Sequence, residues 1–354
     1  MSFETILDQE VPVRFLTKLA QTGRIPNALL FHGPSGVGKG MTAMALANIL
    51  MGGNDEMTAR KIAHGNHPDL RIVSPVKKSR IIDVDTIDAL IEWASLRPVE
   101  ADWRVFIIHE AERMRGPAQN HLLKTLEEPL GKSVFLLLTE APQILLPTIR
   151  SRCQRVRFGR LRPETVQSIL LRERDITPDQ AEAVAAVAQG QMTRAFNLID
   201  SDMREAVLDV VQQLHAGTDP LALAEDFAKY VAARKVQFEA AVREASDTTD
   251  VSELSKEDRA QIKDEHAALV DALCRRDILE LLNLLELWYR DVLVYSATGN
   301  ADFVLNKDQL ALLESAAVSD PDAKIGAVEK ARLYLERFLN EERVFRDLFF
   351  ALAG

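Results

Sequence analysis

The feature that most constrains this chain is a glycine-rich segment at residues 33–40, Gly-Pro-Ser-Gly-Val-Gly-Lys-Gly. It follows the short apolar run 28–31 and precedes residues 41–50, whose spacing and alanine, leucine and methionine content are typical of a helix. A strand, a glycine loop, a lysine and a helix in this order predict a phosphate-binding loop, because glycines let backbone N–H groups turn toward an anion at a helix N-terminus. The predicted nucleotide-binding residues are Gly33, Gly36, Gly38 and Lys39.

The positions that would hold Mg²⁺ depart from this pattern. The residue after the lysine should carry a hydroxyl and is Gly40, and the apolar strand 105–108 ends in His109-Glu110 where an acidic pair is expected. A neutral imidazole is a poor ligand for Mg²⁺, which takes hard oxygen ligands. Gly40 and His109 are therefore degenerate metal positions, and they predict little or no intrinsic ATPase. The alternative is that His109 itself acts as a base or metal ligand.

The hydrophobic pattern predicts an α/β domain followed by helices. Strands alternating with helices around a phosphate loop indicate a three-layer domain with a parallel five-stranded sheet. The segment 51–67 is predicted to be loop-rich, and residues 246–250 are predicted to be an exposed loop. The predicted strands are 28–31, 70–73, 104–108, 133–139 and 154–158, and the predicted helices include 41–50, 82–96, 119–128, 164–172, 178–188 and 269–294.

Charge and cysteine content argue against several classes of protein, among them disulfide-rich and zinc-binding proteins. Residues 1–163 carry 22 Lys+Arg against 17 Asp+Glu and the remainder 21 against 36, giving the net charge of −10. An acidic C-terminal half argues against a general nucleic-acid surface there, whereas the mildly basic N-terminal part can lie near phosphate. Cys153 and Cys274 are too far apart in sequence for a disulfide framework or a cysteine-rich zinc site. With no signal-peptide pattern and no long uncharged apolar run, the chain is predicted to be cytoplasmic, without a membrane partner.

An arginine-rich segment follows the fourth predicted strand. Residues 148–153 read Thr-Ile-Arg-Ser-Arg-Cys, at the end of the sheet where phosphate chemistry takes place. A guanidinium group can bond two phosphate oxygens at once. At a subunit edge such an arginine can reach the γ-phosphate bound by a neighbour. The alternative, a solvated or salt-bridged face, fits most members of the longer arginine-rich run Arg150, Arg152, Arg155, Arg157, Arg160 and Arg162.

Further motifs accompany the phosphate loop. They are Phe3-x-x-Ile6-x-x-Gln9, Gly23-Arg-Ile-Pro-Asn-Ala28, Gly65-Asn-His-Pro-Asp69, Leu122-Leu-Lys-Thr-Leu-Glu-Glu-Pro129 and Leu146-Pro-Thr-Ile-Arg-Ser-Arg-Cys153. Together these motifs resemble the bacterial clamp-loader branch of the AAA+ proteins, and within it the delta-prime class of subunits. The likeness is dense over residues 1–160 and thin beyond them.

The resemblance implies a subunit of a five-membered ring in a DNA polymerase holoenzyme. It implies an AAA+ domain at 1–163, a small helical lid at 164–204 and a helical collar at 205–354. The implied partners are gamma/tau ATPase subunits, a delta subunit, the sliding clamp and, through the assembled complex, primed DNA. In such a ring, Arg152 is offered as an arginine finger to ATP held by an adjacent gamma/tau subunit.

Departures from the family pattern set the remaining expectations. Family members often carry a four-cysteine zinc module after the loop helix, but residues 50–66 contain no cysteine, so no zinc is expected. Arg194 stands one place later than the second-sensor arginine and is not assigned to nucleotide. No cofactor is required, and binding of ATP or ADP is left open. The alternatives are an active gamma/tau-type ATPase, a stand-alone NTP-hydrolysing remodeller and a scaffold-only AAA+ subunit.

Overall fold

The chain is organised as two compact units. The computed structural model describes residues 2–53, 55–75, 81–128, 131–244, 256–315, 320–337 and 339–354, apart from the side chains of 256–265 and 268. The N-terminal unit comprises Met1–Val166 and Gln189–Arg194, and the C-terminal unit comprises Gln167–Ala188 and Ala195–Gly354. The finer division into a lid and a collar at residue 204 stays a prediction.

The N-terminal unit is built on a five-stranded parallel sheet, as the sequence predicts. The strands lie in the order β2-β3-β4-β1-β5, and every neighbouring pair is parallel. This order places β1 and the glycine segment beside the end of β4. The strands are β1 (Ala28–His32), β2 (Leu70–Val73), β3 (Arg104–Ile108), β4 (Ser133–Thr139) and β5 (Gln154–Arg157).

Helices cover both faces of this sheet, which explains why its central strands are apolar runs without alternation. One face packs Leu30, Phe106 and Phe135 against α4 and α5, and the rings of Phe106 and Phe135 stack with centroids 4.4 Å apart. The other face packs β-strand side chains such as Leu29 against α1 and α2. The helices are α1 (Glu10–Thr22), α2 (Lys39–Leu50), α3 (Glu56–Ala63), α4 (Val84–Ala94), α5 (Gly116–Glu127) and α6 (Pro147–Arg152).

The prediction of a loop-rich segment at 51–67 was wrong in part, because α3 occupies Glu56–Ala63. The Asp55 side chain accepts a hydrogen bond from the Thr58 backbone N–H and caps this helix. The glycines and asparagines on both sides of the segment concealed a one-sided apolar pattern in which Ile62 is the buried residue. A capping aspartate followed by helix-forming residues was the signal that could have revealed α3.

All regular secondary structure in the described part of the C-terminal unit is helical. Helices α11, α12, α14 and α15 form its core, where the Phe227 ring packs against Phe345 and Phe349. The predicted helix 269–294 lies inside α12, whereas the predicted loop 246–250 falls outside the described residues. The remaining helices are α7 (Pro163–Glu173), α8 (Pro178–Val187), α9 (Met192–Asp200), α10 (Met203–His215), α11 (Pro220–Glu244), α12 (Lys256–Thr298), α13 (Leu310–Ser315), α14 (Pro321–Glu336) and α15 (Glu341–Ala353).

A buried carboxylate organises the end of α12. Asp291 is fully buried and accepts hydrogen bonds from the backbone N–H groups of Leu305 and Asn306 and from the Asn306 side-chain amide. Arg204 of α10 donates to the side-chain oxygens of Asn306 and Asp308. These bonds satisfy a buried charge and tie two distant segments of the C-terminal unit together.

Over the stretches of chain that the structure describes, no helix is both long and apolar enough to cross a membrane.

Candidate functional site

The glycine segment connects β1 to α2 and packs closely against its own unit. Gly33 has φ 151°, and a Cβ atom there would lie 2.4 Å from the Phe158 carbonyl oxygen. Gly36 has φ 69°, and a Cβ atom there would lie 2.3 Å from the Thr193 backbone nitrogen. Both glycines are therefore required by backbone conformation and by contact. Gly38 precedes α2 and leaves the first N–H groups of the helix facing this loop.

Lys39 is bonded to its own loop. Its Nζ donates to the carbonyl oxygens of Gly33, at 2.7 Å, and Pro34, at 2.5 Å. Burial lowers the pKa of the Lys39 ammonium, and the negative charges of Glu140 and Glu112 oppose that shift. Lys39 therefore stabilises the backbone turn at Gly33 and Pro34 by donating hydrogen bonds to both carbonyl groups.

The structure brings Gly40 and His109, the two positions predicted to be degenerate metal positions, into contact. His109 follows β3, its backbone N–H donates to the Val73 carbonyl at 2.8 Å, and its ring lies against the backbone of Gly40. A Cβ atom added at Gly40 would come within 3.2 Å of His109 Cε1. Burial lowers the pKa of His109, so the ring is neutral at neutral pH. A hydroxyl-bearing residue at position 40 would press on this ring, so the two departures from the pattern are sterically matched.

The acidic groups that act on Lys39 are not the Glu110 that follows His109 at the end of β3. The Glu110 carboxylate lies 3.5 Å from the Arg113 guanidinium, and its charge acts on the neighbouring His109 ring. Glu112 and Glu140 instead exert the electrostatic effect on Lys39. Glu112 Oε1 accepts from the Glu140 backbone N–H at 3.4 Å. Their positions after β3 and β4, whose carboxyl ends are adjacent in the sheet, were the signal that could have found them.

Thr139 is a further residue that sequence reasoning did not assign. It is buried at the end of β4, and its carbonyl accepts the Gly33 N–H at 3.3 Å. Its hydroxyl accepts the Ala141 N–H at 3.1 Å. Thr139 therefore joins the start of the glycine segment to the neighbouring strand.

Arg152 is placed apart from this loop, at the end of the short helix α6. Its Nε and Nη2 both contact Glu127 Oε1 on α5, and its Nη1 donates to the Thr148 carbonyl at 3.1 Å. Ile149 anchors α6 in the core, and the Leu146 N–H at the start of the helix donates to the buried Gln119 side chain at 2.7 Å. The guanidinium is therefore a surface group on a fixed support.

The segment at residues 65–69 forms a buried brace. The Asp69 carboxylate accepts hydrogen bonds from the backbone N–H groups of Val99, Glu100 and Ala101 at 2.8 to 2.9 Å. Burial alone would raise the pKa of Asp69, but these three bonds and Arg104 lower it overall. His67 accepts the Asp69 N–H at its Nδ1. This motif therefore fixes the loop before β3.

The part of the chain with described side chains contains no cluster of three His, Cys, Asp or Glu residues suited to a metal ion.

The stability of the N-terminal unit is expected to fall as pH is lowered from about 7 to about 5. The pKa of His109 lies below its ordinary value of 6.5, so the unfolded chain binds more protons than the folded chain in this window. Carboxylates with a lowered pKa, such as Asp69, weaken the fold only at more acidic pH. Urea unfolding at the two pH values, with an NMR titration of the His109 ring, measures the effect. Titration of His109 at or above 6.5 would contradict it.

The comparisons with known proteins agree with this architecture. A family model described as "DNA polymerase III, delta subunit" matches residues 8–162. DNA polymerase III subunit delta' of Bacillus subtilis (strain 168) is 34% identical over 218 residues, which cover 57% of this chain and 64% of that protein. The subunit delta' of Pseudomonas aeruginosa is 32% identical over 197 residues, covering 52% of this chain and 60% of that protein.

A gamma/tau subunit is also similar to part of this chain. DNA polymerase III subunit gamma/tau of Mycobacterium tuberculosis (strain H37Rv) is 34% identical over 179 residues, covering 48% of this chain and 31% of that protein. The chain thus spans less than two thirds of the length of each of these curated relatives. Together with the five-stranded parallel sheet and its glycine loop, these matches show that part of this chain, including residues 8–162, is similar to the DNA polymerase III subunits named above.

Proposed function

We propose that this chain is the delta-prime subunit of a DNA polymerase III clamp loader and that it donates Arg152 to ATP bound by a neighbouring gamma/tau subunit. The observation that carries the proposal is the place of Arg152, exposed at the end of a helix that is anchored in the core. Its hydrogen bonds go to α5 and α6, so its guanidinium serves no group of the chain's own glycine loop.

The chemistry of that arginine fits phosphoryl transfer. During cleavage of the γ-phosphate, negative charge spreads over the phosphate oxygens, and a planar guanidinium can donate two parallel hydrogen bonds to them. Such an arginine acts mainly in the transition state, where the charge is greatest. The short helix α6 supplies the rigid support that this kind of contact requires.

The chain's own loop has lost its metal chemistry in this proposal. Gly40 offers no hydroxyl, and the neutral His109 ring lies against it. Lys39 is held by the carbonyl groups of Gly33 and Pro34. The glycines and Lys39 still have the residue types that hold phosphates, and they could bind ATP or ADP without hydrolysing it. No cofactor or zinc ion is required.

The proposed partners are those of a clamp loader in the cytoplasm. They are gamma/tau and delta subunits, the sliding clamp and, through the assembled complex, primed DNA. Residues 1–163 have an excess of only five basic over acidic side chains, so contacts with DNA would be electrostatic contacts with the phosphate backbone. The acidic C-terminal half favours protein partners over nucleic acid.

Two other functions remain as alternatives. An active gamma/tau-type ATPase is favoured by the intact glycines and Lys39 and by the identity with gamma/tau relatives, but it requires a metal site that Gly40 and His109 do not supply. A scaffold-only AAA+ subunit is compatible with the loss of the metal site, but it leaves Arg152 without a role in ATP hydrolysis.

The purified chain is expected to hydrolyse ATP no faster with Mg²⁺ than with EDTA. In a clamp loader reconstituted with this chain, Lys39→Ala is expected to change the clamp- and DNA-stimulated ATPase by less than about twofold, since the catalytic lysines belong to other subunits. Phosphate release and nucleotide affinity, measured with and without Mg²⁺, test this. A fast Mg²⁺-dependent turnover of the purified chain that Lys39→Ala abolishes would support the gamma/tau-type alternative.

A further inference from the structure

The carboxylate of Glu127 occupies one edge of the Arg152 guanidinium. Nε and Nη2, the two donors of that edge, both contact Glu127 Oε1, while Nη1 donates to the Thr148 carbonyl oxygen of the same helix. The two side chains remain 36% and 42% exposed, so the pair lies at the surface. The guanidinium is therefore fixed from two directions, with the other N–H groups of its Nη atoms left for a further acceptor.

Such fixation matters because an exposed arginine is otherwise mobile. Its side chain has many rotamers, and an arginine that must meet a phosphate in one geometry loses that freedom when it binds. A partner that already selects the rotamer removes part of this cost before the substrate arrives. Glu127 lies near the C-terminal end of α5, and α5 is packed in the core through Leu122 and Leu126. The partner is thus as well anchored as α6.

The opposite effect would be a carboxylate that keeps the arginine away from phosphate. The weak net stability of an exposed ion pair argues against it. Ion pairs exposed to this degree contribute little net stability, because water screens them and ordering two long side chains has an entropic cost. A γ-phosphate carries more negative charge than one carboxylate and can also accept two hydrogen bonds. The arginine can therefore bind the phosphate without first losing a strong partner.

We propose that Glu127 is a positioning residue that holds Arg152 in the orientation in which it reaches a neighbouring subunit's γ-phosphate. This inference rests on the proposed function, since it concerns the same arginine. Glu127 acts through Arg152 alone, and it contacts neither the nucleotide nor the reacting atoms.

The test uses a clamp loader reconstituted with the full chain and the Arg152-dependent part of its stimulated ATPase, defined as the rate of the native complex minus that of the Arg152→Ala complex. Glu127→Ala is expected to lower this part about tenfold in kcat, with the KM for ATP changed by less than about twofold. Glu127→Gln keeps the shape and one acceptor and is expected to retain a larger share of it. The neighbouring exposed Glu128→Ala is the matched control and should retain all of it.

A second measurement separates positioning from a general structural role. The double variant Glu127→Ala/Arg152→Ala is expected to be no slower than Arg152→Ala alone, because a residue that acts only through Arg152 has nothing left to position. A further loss in the double variant, an equal loss in Glu128→Ala, or a faster rate in Glu127→Ala or Glu127→Gln would overturn the inference. If Arg152→Ala itself leaves the rate unchanged, the proposed function fails, and the positioning role fails with it.

Discussion

Replacing Arg152 with alanine in a reconstituted clamp loader is expected to slow hydrolysis at the adjacent gamma/tau site by about 10³-fold or more. The physical reason is the loss of a guanidinium that would stabilise the charge developing on the γ-phosphate oxygens. Because the other ATP sites of the ring remain intact, the effect is read from single-turnover hydrolysis at saturating clamp and primed DNA. There the slowed site appears as a lost fraction of the fast phase.

Arg174→Ala provides a matched control for this experiment. Arg174 is 35% exposed, close to the 36% of Arg152, and its guanidinium is also paired with a carboxylate, that of Asp200. It lies in the C-terminal unit, directly after the end of α7 and outside the arginine-rich segment at residues 148–153. The complex with Arg174→Ala should keep the whole fast phase of hydrolysis. Both variants, Arg174→Ala and Arg152→Ala, should assemble into the complex as the native chain does. A complete fast phase with Arg152→Ala would leave the scaffold-only alternative.

Asp69→Ala is expected to destabilise the N-terminal unit by about 3–5 kcal/mol. The substitution leaves the Arg104 guanidinium buried without its carboxylate, and it also removes the acceptor of three backbone N–H groups before β3. Arg104 keeps its contacts with the carbonyl groups of Trp93 and Arg97, so part of its charge stays solvated by the protein. Urea unfolding followed by tryptophan fluorescence measures the change, since Trp93 packs on Arg104.

Two further variants test the reason for this effect. Glu56→Ala removes an ion pair whose members are 74% and 82% exposed, and it is expected to change stability by less than about 1 kcal/mol. The double variant Asp69→Ala/Arg104→Met removes both buried charges but still leaves three backbone donors without their acceptor. It is therefore expected to recover only part of the loss. Full recovery would show that the ion pair, and not the backbone bracing, is the main role of Asp69.

The order of elements in the N-terminal unit was predictable because its signals are local. Strands β3 and β4 are buried on both faces, so they are continuous apolar runs, and the glycine segment lies between a strand and a helix whatever packs around them. Helix α3 was missed because it is a two-turn helix between glycine-containing segments, where local propensity is weak and packing of Ile62 decides. Capping by Asp55 was a signal in the sequence, but the glycines outweighed it.

For the candidate site residues too, the residue types were visible in the sequence, whereas their contacts required the tertiary structure. The loss of Mg²⁺ ligands at Gly40 and His109 was visible as residue types in a known pattern, but their contact required the sheet to bring the end of β3 beside the start of α2. Likewise the interest of Arg152 came from its motif, whereas Glu127 is 25 residues away in sequence and meets it only because α5 and α6 pack together. No spacing rule connects such a pair.

The amino-acid sequence by itself determined that this chain forms a parallel α/β domain with a glycine loop, that this loop lacks the hydroxyl and acidic groups of a metal site, and that an arginine follows the fourth strand. These properties follow from hydrophobic period, from glycine and from residue chemistry at fixed offsets, all of which are local. Only the tertiary structure decided that Lys39 is held by its own loop, that the His109 ring lies on Gly40, and that Glu127 contacts Arg152. The first is a local contact that depends on how the loop backbone turns. The other two join segments distant in sequence, and such contacts depend on how strands and helices pack in three dimensions.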